Sequence, residues 1–131
     1  MITRHQVMGI ALALPGSRSD MPFEGDFDTT VLRHGATGKW FGILMKVSGS
    51  RLGLSDSGSA DILNLKCDPL VSFGLRQTYP EILPAYHMNK QLWITVILSG
   101  NLPLDILKTL MQMSYDLTAK KPKPRRPNSR V

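Results

Sequence analysis

The chain has 131 residues, a length that suits one domain with a sizeable buried core. Its single cysteine, Cys67, excludes an internal disulfide, and no second cysteine or histidine cluster completes a four-ligand zinc site. The most apolar window near the start, residues 7–14, is far shorter than the roughly 20 residues needed to cross a bilayer. We therefore expect a cytoplasmic protein with no membrane partner, metal or cofactor.

The net charge of +6 and the isoelectric point near 9.8 come from the end of the chain. Six cations and no acid lie in the last twelve residues: Lys120, Lys121, Lys123, Arg125, Arg126 and Arg130. Residues 1–118 carry ten basic and ten acidic side chains and are formally neutral. Because residues 119–131 hold three prolines and almost no large apolar side chain, they predict a disordered basic tail after a folded domain at 1–118.

Hydrophobic periodicity and turn signals predict three helices and five strands. In order they are a helix at 4–14, a connecting loop at 17–25, strands at 27–33 and 39–47, a mobile Ser/Gly-rich loop at 48–60, a strand at 61–66, a helix at 68–76, strands at 85–89 and 93–98, and a helix at 103–118. The capping-box pattern T-x-x-Q at 3–6 favours the first helix start, and Asp68-Pro69 favours the second.

The predicted order is α-β-β-β-α-β-β-α. An antiparallel sheet with helices packed on one face would satisfy this order. The fold class predicted is therefore α+β, a two-layer α/β arrangement.

Four short stretches carry a family resemblance. They are P-A-Y-H-M-N-K-Q-L-W-I-T-V at 84–96, L-N-L-K-C-D-P at 63–69, S-Y at 114–115 and A-L-P-G at 13–16. On these residues the chain resembles the MmcQ/YjbR family over about residues 4–118, with H-M-N-K-x-x-W as the most specific part. The resemblance implies a small α+β protein of the same element order, similar in architecture to type III secretion chaperones and to a double-wing domain of a phage transcription activator. It also implies the family's usual description as predicted DNA-binding proteins.

Five residues form the candidate anion or nucleic-acid site of the folded domain: Lys66, His87, Asn89, Lys90 and Trp93. Because side chains alternate across a strand, His87 and Asn89 are predicted to share one face of a hairpin. Lys66 and Lys90 would supply charge to a phosphate or carboxylate ligand, and Trp93 a stacking plane. The alternative is structural, with Trp93 as a core anchor, Asn89 bonded to turn backbone groups and His87 as a hydrogen-bonded structural residue.

Other patterns favour structural roles over chemistry. Cys67 is expected to be a buried core residue, because nothing beside it indicates a lowered pKa or an oxyanion site. The glycines at 53–58 lack the lysine of a phosphate-binding loop, and the acidic run at 20–28 lacks the spacing of a calcium loop. The zinc deaminase signature is also missing.

These observations predict a noncatalytic binding protein with nucleic acid as the leading partner. In the basic tail, Lys120, Lys121, Lys123, Arg125 and Arg126 would give salt-sensitive attraction to phosphates. The alternative for the tail is a terminus that only increases solubility. The alternative is a protein-interaction or chaperone-like adaptor that homodimerises. A third hypothesis is an enzyme or small-ligand receptor built on Lys66, His87 and Lys90, but the sequence supplies no full set of acid, base and nucleophile.

Overall fold

The computed structural model describes residues 1–54 and 58–119. The helices are α1 (Arg4–Leu12), α2 (Pro69–Thr78) and α3 (Leu104–Thr118), with a short 3-10 helix at Gly49–Leu52, and the strands are β1 (Ser17–Asp20), β2 (Thr30–His34), β3 (Trp40–Ser48), β4 (Ser59–Lys66), β5 (Ile82–Pro84) and β6 (Trp93–Ile97). In the described ranges, no helix has the length and apolar character required of a membrane span.

The six strands form one sheet in the order β1-β2-β3-β4-β6-β5, and every neighbouring pair is antiparallel. The three helices pack against a single face of this sheet, so the predicted α+β class with an antiparallel sheet is confirmed.

Helix starts follow the predicted capping signals. The Thr3 side chain accepts a hydrogen bond from the Gln6 backbone, and the Gln6 side chain accepts one from the Thr3 backbone, which completes the capping box of α1. Asp68 caps α2 through the Leu70 N–H at 2.9 Å. Pro103 precedes α3 as its N-cap residue instead of opening the helix.

The two faces of the sheet differ in what covers them. We call the first the helix-covered face; its buried residues are Leu32, Phe41, Leu44, Leu63, Leu65, Ile94 and Val96. Val7 of α1 and Met111 of α3 are fully buried against it. The Ser114 hydroxyl of α3 donates to the Phe41 carbonyl at 2.6 Å and accepts from the Lys66 N–H at 2.9 Å, which ties this helix to β3 and β4. The core of the protein therefore lies between the helices and this face.

By strand alternation the opposite side carries Val31, Ile43, Met45, Ile62, Asn64, Thr95 and Ile97, and we call it the open face. A smaller apolar cluster forms here from Val47, Ile62 and Ile97. The 3-10 helix borders this side through Leu52, and Tyr86 of the 85–92 loop packs on it as well. The open face is thus the part of the sheet that loop residues can shape.

The prediction of a loop at 17–25 was wrong at its start, because Ser17–Asp20 forms the edge strand β1. Its polar side chains hid it from the hydrophobic pattern. An edge strand needs backbone pairing more than apolar side chains, and here Asp20 also forms a bidentate pair with Arg33 of β2 at 2.7 and 3.0 Å. The sheet consequently has one strand more than expected.

The predicted strand at 85–89 was also wrong. The strand is Ile82–Pro84, and the H-M-N-K residues follow it as an irregular loop. His87 has φ of 58°, a left-handed conformation that cannot continue a strand. His87 and Asn89 therefore do not share a strand face as predicted.

The loop predicted at 48–60 contains the 3-10 helix, and β4 already begins at Ser59. The strand expected at 27–33 begins instead at Thr30, after a turn in which the Asp26 carboxylate accepts from the N–H groups of Asp28 and Thr29. Residues 55–57 and 120–131 lie outside the described residues. The basic tail and its five candidate binding residues therefore stay a prediction.

Candidate functional site on the open face

A ring of three hydrogen bonds fixes the 85–92 loop to the open face. The Thr95 hydroxyl donates to the Asn64 side-chain oxygen at 2.5 Å and accepts from the Tyr86 N–H at 2.8 Å. The Asn64 amide nitrogen donates to the Tyr86 carbonyl at 2.9 Å. Asn64 and Thr95 are fully buried, and a buried polar pair is stable only when it is satisfied in this way. The position of Tyr86 is therefore set by the sheet.

The rest of the loop holds its own shape through backbone contacts. The Lys90 ammonium donates to the Ala85 carbonyl at 2.7 Å, and the Asn89 side-chain oxygen accepts from the N–H groups of Gln91 and Leu92 at 2.8 and 3.1 Å. Asn89 therefore acts as a turn residue that satisfies backbone N–H groups, the structural role considered for it from the sequence. These contacts leave His87 as the exposed polar side chain at the bend, with its ring 4.0 Å from that of Tyr86.

An apolar depression of about 190 Å³ lies where this loop meets the sheet. Its lining is formed by Phe23, Thr29, Trp40, Ile43, Met45, Tyr86, His87 and Met88. The Phe23 and Trp40 rings stand edge to face, with centroids 6.1 Å apart, and Phe23 is 43% exposed. We call this the aromatic depression. Aromatic rings around a shallow hollow suit contact with a flat ligand.

A second, more polar hollow of about 300 Å³ adjoins it. Asp26, Thr29, Met45, Lys46, Val47, Ser48, Arg51 and Tyr86 line this polar depression. The Arg51 guanidinium donates to the Tyr86 hydroxyl at 3.4 Å, and this contact raises the pKa of Arg51. Lys46 is held instead by Asp61, 3.3 Å away. Among the described residues, no acidic side chain forms an ion pair with Arg51.

Two carboxylates near these hollows are already occupied. The hydroxyl of Thr29 donates to Asp26 at 2.7 Å, and this bond together with the backbone donors lowers the pKa of that carboxyl. Arg33 in the same way lowers the pKa of Asp20, and its guanidinium carbon lies 5.5 Å from the centre of the Trp40 ring. Neither acid is placed to act as a proton donor near neutral pH.

Lys66 and Trp93 are brought together by register, because they are direct partners on β4 and β6. Alternation from Asn64 and Thr95 puts both side chains on the open face, at the end of the sheet where β6 begins. Trp93 is half-buried, and its backbone N–H donates to the Asn89 carbonyl at 2.9 Å. The five predicted residues thus fall into a Lys66–Trp93 pair and a loop group, of which His87 alone lines the aromatic depression.

Cys67 is a core residue, as the sequence predicted. It is 1% exposed, and burial raises the pKa of its thiol to about 11. Among the described residues, no group of three or more His, Cys, Asp or Glu side chains is placed to hold a metal ion.

Sequence reasoning missed several residues that shape the site: Phe23, Trp40, Asn64, Arg51 and Tyr86. Asn64 had a usable signal, because it is a polar residue inside the apolar run at 62–65 and such a residue needs a specific partner. Phe23 lacked one, since it lies in a polar stretch and meets Trp40 only through the fold.

Comparison with known proteins places the chain in a family. A family model described as YjbR matches residues 12–117. The uncharacterized protein YyaQ of Bacillus subtilis is 38% identical over 90% of this chain and 99% of its own length, and the uncharacterized protein YbdF of Escherichia coli O157:H7 is 34% identical over 82% and 77%.

Solved structures agree with this result. A crystal structure of a Pseudomonas syringae protein superposes with a TM-score of 0.85 at 35% identity and covers 90% of this chain and all of that one. Deinococcus radiodurans protein DR2400 gives a TM-score of 0.72 at 28% identity and covers 99% of this chain and 86% of its own. The resemblance seen in the sequence is confirmed, and this chain belongs to the YjbR family.

Proposed function

We propose that this protein is a noncatalytic, cytoplasmic nucleic-acid-binding module that contacts its ligand through the open face of the sheet. The single observation that carries the proposal is the aromatic depression, with Phe23, Trp40, Tyr86 and His87 around one hollow. Bases stack on aromatic side chains of this kind in proteins that bind unpaired strands.

The size of the hollow favours a base over an enclosed metabolite. Small-molecule pockets commonly occupy about 300–1,000 Å³ and bury most of their ligand. At about 190 Å³, the aromatic depression accepts one flat ring and leaves the remainder of the ligand in solvent. A polymer that presents one ring at a time fits this shape.

Charge supports the same proposal. Arg51 borders the depression, Arg33 lies over Trp40, and Lys66 lies farther along the open face beside Trp93. The tail predicted at 119–131 would add six cations that attract phosphates without regard to sequence.

The side chains near the depression favour binding over catalysis. His87 has Tyr86 as its ring neighbour, and the Asp26 carboxylate is held by Thr29. Cys67 is buried and protonated at neutral pH. Acid–base or nucleophilic catalysis needs two such groups within hydrogen-bond reach of one another.

Fluorescence anisotropy tests the proposal. The full chain would be titrated against labelled single-stranded DNA, single-stranded RNA and duplex DNA of about 16 nucleotides, at about 50 mM and about 200 mM salt. We expect binding that weakens steeply with salt and that falls about 5- to 150-fold in Trp40→Ala, because one stacked base contributes about 1–3 kcal/mol.

Two further variants separate the body from the tail. Phe73→Ala is the matched control for Trp40→Ala, since Phe73 is 62% exposed on α2, away from the depression. A full-length variant with Lys120, Lys121, Lys123, Arg125 and Arg126 changed to Gln tests the tail. Absence of binding even at low salt overturns the proposal, and so does binding that depends on the tail cations and is indifferent to Trp40.

A second candidate function is a protein-interaction adaptor or homodimer, and α2 favours it. Leu70 is 86% exposed, Phe73 62% and Val71 43%, so this helix presents an apolar patch to solvent. Such patches are uncommon on soluble monomers and often mark interfaces. Light scattering after size exclusion, over a range of concentrations, would show a dimer in the parent chain and a monomer in Leu70→Ser. A parent chain that is monomeric at every concentration removes the homodimer.

A further inference from the structure

The aromatic and polar depressions of the open face are adjoining parts of one surface. Thr29, Met45 and Tyr86 line both of them. One hollow is walled by aromatic and aliphatic side chains, and the other contains the Arg51 guanidinium. A ligand that spans them has a flat apolar part joined to an anionic part.

We propose that the two depressions together form a site for one nucleotide unit, with the base in the aromatic depression and its phosphate beside Arg51. The proposal rests on the function proposed above and deepens it, because it names the unit that is bound and the side chain that meets each part of it. A nucleotide is the unit of a nucleic acid that joins a planar ring to a phosphate across a short sugar.

The base half of the site has walls at right angles to one another. The planes of Phe23 and Trp40 make an angle of 88°, and the neighbouring rings of Tyr86 and His87, 4.0 Å apart, make an angle of 61°. A ring that enters stacks on one wall and meets the edge of another, an arrangement that aromatic pairs favour. The Arg33 guanidinium lies over the Trp40 ring, so a cation–π contact holds this side chain in place.

The phosphate half depends on Arg51. Among the described residues no carboxylate lies within ion-pair distance of it, whereas Arg4, Arg33 and Lys46 each have one. Its contact is the Tyr86 hydroxyl, and hydroxyl and guanidinium together can donate to one phosphate oxygen pair. Asp26 lines the same hollow and opposes an anion, so the affinity for phosphate is modest.

Tyr86 fixes the distance between the halves. Its backbone is held on both sides by Asn64 and Thr95, and its ring lies between His87 and Arg51. The Tyr86 backbone is therefore fixed relative to the aromatic walls, and Arg51 of the 3-10 helix meets it at the tyrosine hydroxyl. A site prepared in this way binds its ligand with little ordering cost.

A selectivity follows from this geometry. Bases in a duplex are stacked and paired, and taking one out costs a few kcal/mol. The site therefore prefers unpaired strands to duplex, and it binds a free nucleoside monophosphate weakly at the same place. Single-stranded DNA and single-stranded RNA both contain this nucleotide unit. Comparing the affinities for the two kinds of strand shows which nucleic acid is the preferred ligand.

The experiment follows backbone and side-chain NMR signals of the isotope-labelled full chain during titration with AMP, adenosine and inorganic phosphate. We expect AMP to shift the Trp40 indole, the Tyr86 and His87 amides and the Arg51 side chain together. AMP should bind about 2- to 5-fold more tightly than adenosine, the range of one exposed ion pair. Phosphate alone should shift Arg51 only.

Two pairs of variants assign the halves. Arg51→Gln should remove the preference for AMP over adenosine, while Lys108→Gln on α3 keeps it. Trp40→Ala should weaken AMP and adenosine equally, and Trp40→Phe should restore most of the affinity because it keeps a stacking plane. Amide spectra of each variant establish that it is folded before its affinity is compared.

Contrary outcomes separate this inference from the proposed function. If strands bind at low salt while AMP leaves Trp40 and Arg51 unshifted, the nucleotide site is overturned and nucleic-acid binding stands. If AMP binds as described and no strand binds, the site stands and the proposed function is overturned. Equal affinity for duplex and single strands also contradicts the inference.

Discussion

The two faces of the sheet are built from the same strands and differ in how their polar groups are arranged. On the helix-covered face, β4 presents only the apolar side chains of Leu63 and Leu65, and three helices close the surface. On the open face, Asn64 lies between those leucines on the same strand and joins Thr95 in a buried hydrogen-bonded pair. The first arrangement stabilises the domain, and the second positions a loop.

This difference explains why the candidate site lies where it does. A loop that packs on a purely apolar surface has few directional contacts, whereas Tyr86 is fixed by an N–H and a carbonyl bond to the sheet. His87 then keeps a left-handed conformation, which costs on the order of 1–3 kcal/mol and persists only where the surrounding structure imposes it. The apolar face supplies the stability that allows such a conformation.

The largest effect is expected from opening the helix-covered face. Phe41 is fully buried there, and its ring contacts Tyr115 edge to face. Phe41→Ala should lower the free energy of unfolding by about 3–5 kcal/mol, measured by urea denaturation. Phe73→Ala, which removes the same ring from an exposed position, should change it by about 0.5 kcal/mol or less. Similar losses in both variants would contradict the division between the faces.

The second-largest effect is expected in the reaction rate of the Cys67 thiol, which reports how well the helices exclude solvent from the helix-covered face. Cys67 belongs to the same core, and its pKa of about 11 leaves roughly 100-fold less thiolate at pH 8 than the unperturbed value of 9.0 would. We expect the native protein to react with a thiol reagent at least about 100-fold more slowly than the urea-unfolded chain. Because the folded pKa is raised, Cys67 contributes stability below about pH 9 that is lost as pH rises toward 11.

A direct control for this measurement is a new thiol on the other face. Phe23→Cys at the 43% exposed aromatic position should react at close to the rate of a free thiol. Rapid labelling of Cys67 in the folded parent chain would show that the helix-covered face opens readily.

A smaller effect is expected from breaking the polar pair of the open face. Asn64→Leu keeps the branched shape of the side chain and removes one hydrogen-bond partner from Thr95 and one from Tyr86, so it should cost about 1–3 kcal/mol in unfolding free energy. It should also weaken binding of single-stranded DNA, because the 85–92 loop loses its attachment. Thr95→Val and the double variant complete a cycle, and additive losses would mean that the pair is not coupled.

The sequence predicted the elements whose signals are local. The Thr3 capping box, the Asp68-Pro69 start and the apolar strands β3, β4 and β6 are patterns within a few residues, and each was found. The edge strand β1 was not, because its pairing with β2 is a property of the assembled sheet. The His87 bend was read as a strand for the same reason, since its left-handed conformation depends on contacts from β4 and β6.

The candidate site was predictable only in part. The H-M-N-K loop was found through its family resemblance, yet its partners Phe23, Trp40 and Arg51 come from three other segments and share no spacing with it. Lys66 and Trp93 lie beside the end of the loop as direct partners on β4 and β6, and neither lines the aromatic depression. Closeness in sequence indicated the H-M-N-K segment as part of the site. It could not indicate that the side chains of Phe23, Trp40 and Arg51 meet it in the folded protein.

The smallest effect concerns the charge of the open face. Asp26→Asn removes a carboxylate from the lining of the polar depression, while the asparagine side-chain oxygen still accepts from the N–H groups of Asp28 and Thr29. Since the Thr29 bond lowers the pKa of Asp26, this acid stabilises the fold above its ordinary value of 3.8, and the contribution is lost as pH falls through the lower folded value. The unfolding temperature of the variant should therefore fall less steeply than that of the parent chain as the pH is lowered below 3.8.

The same substitution should raise affinity for AMP and leave adenosine unchanged, because only the phosphate meets the carboxylate. The gain should be small, about 1.5- to 5-fold, as for other exposed charge pairs, and the NMR titration measures it directly. Asp105→Asn in the first turn of α3 removes an acid from the helix-covered side and serves as the control. Equal gains in both variants would mean that AMP responds to net charge alone, and that the polar depression is not where its phosphate lies.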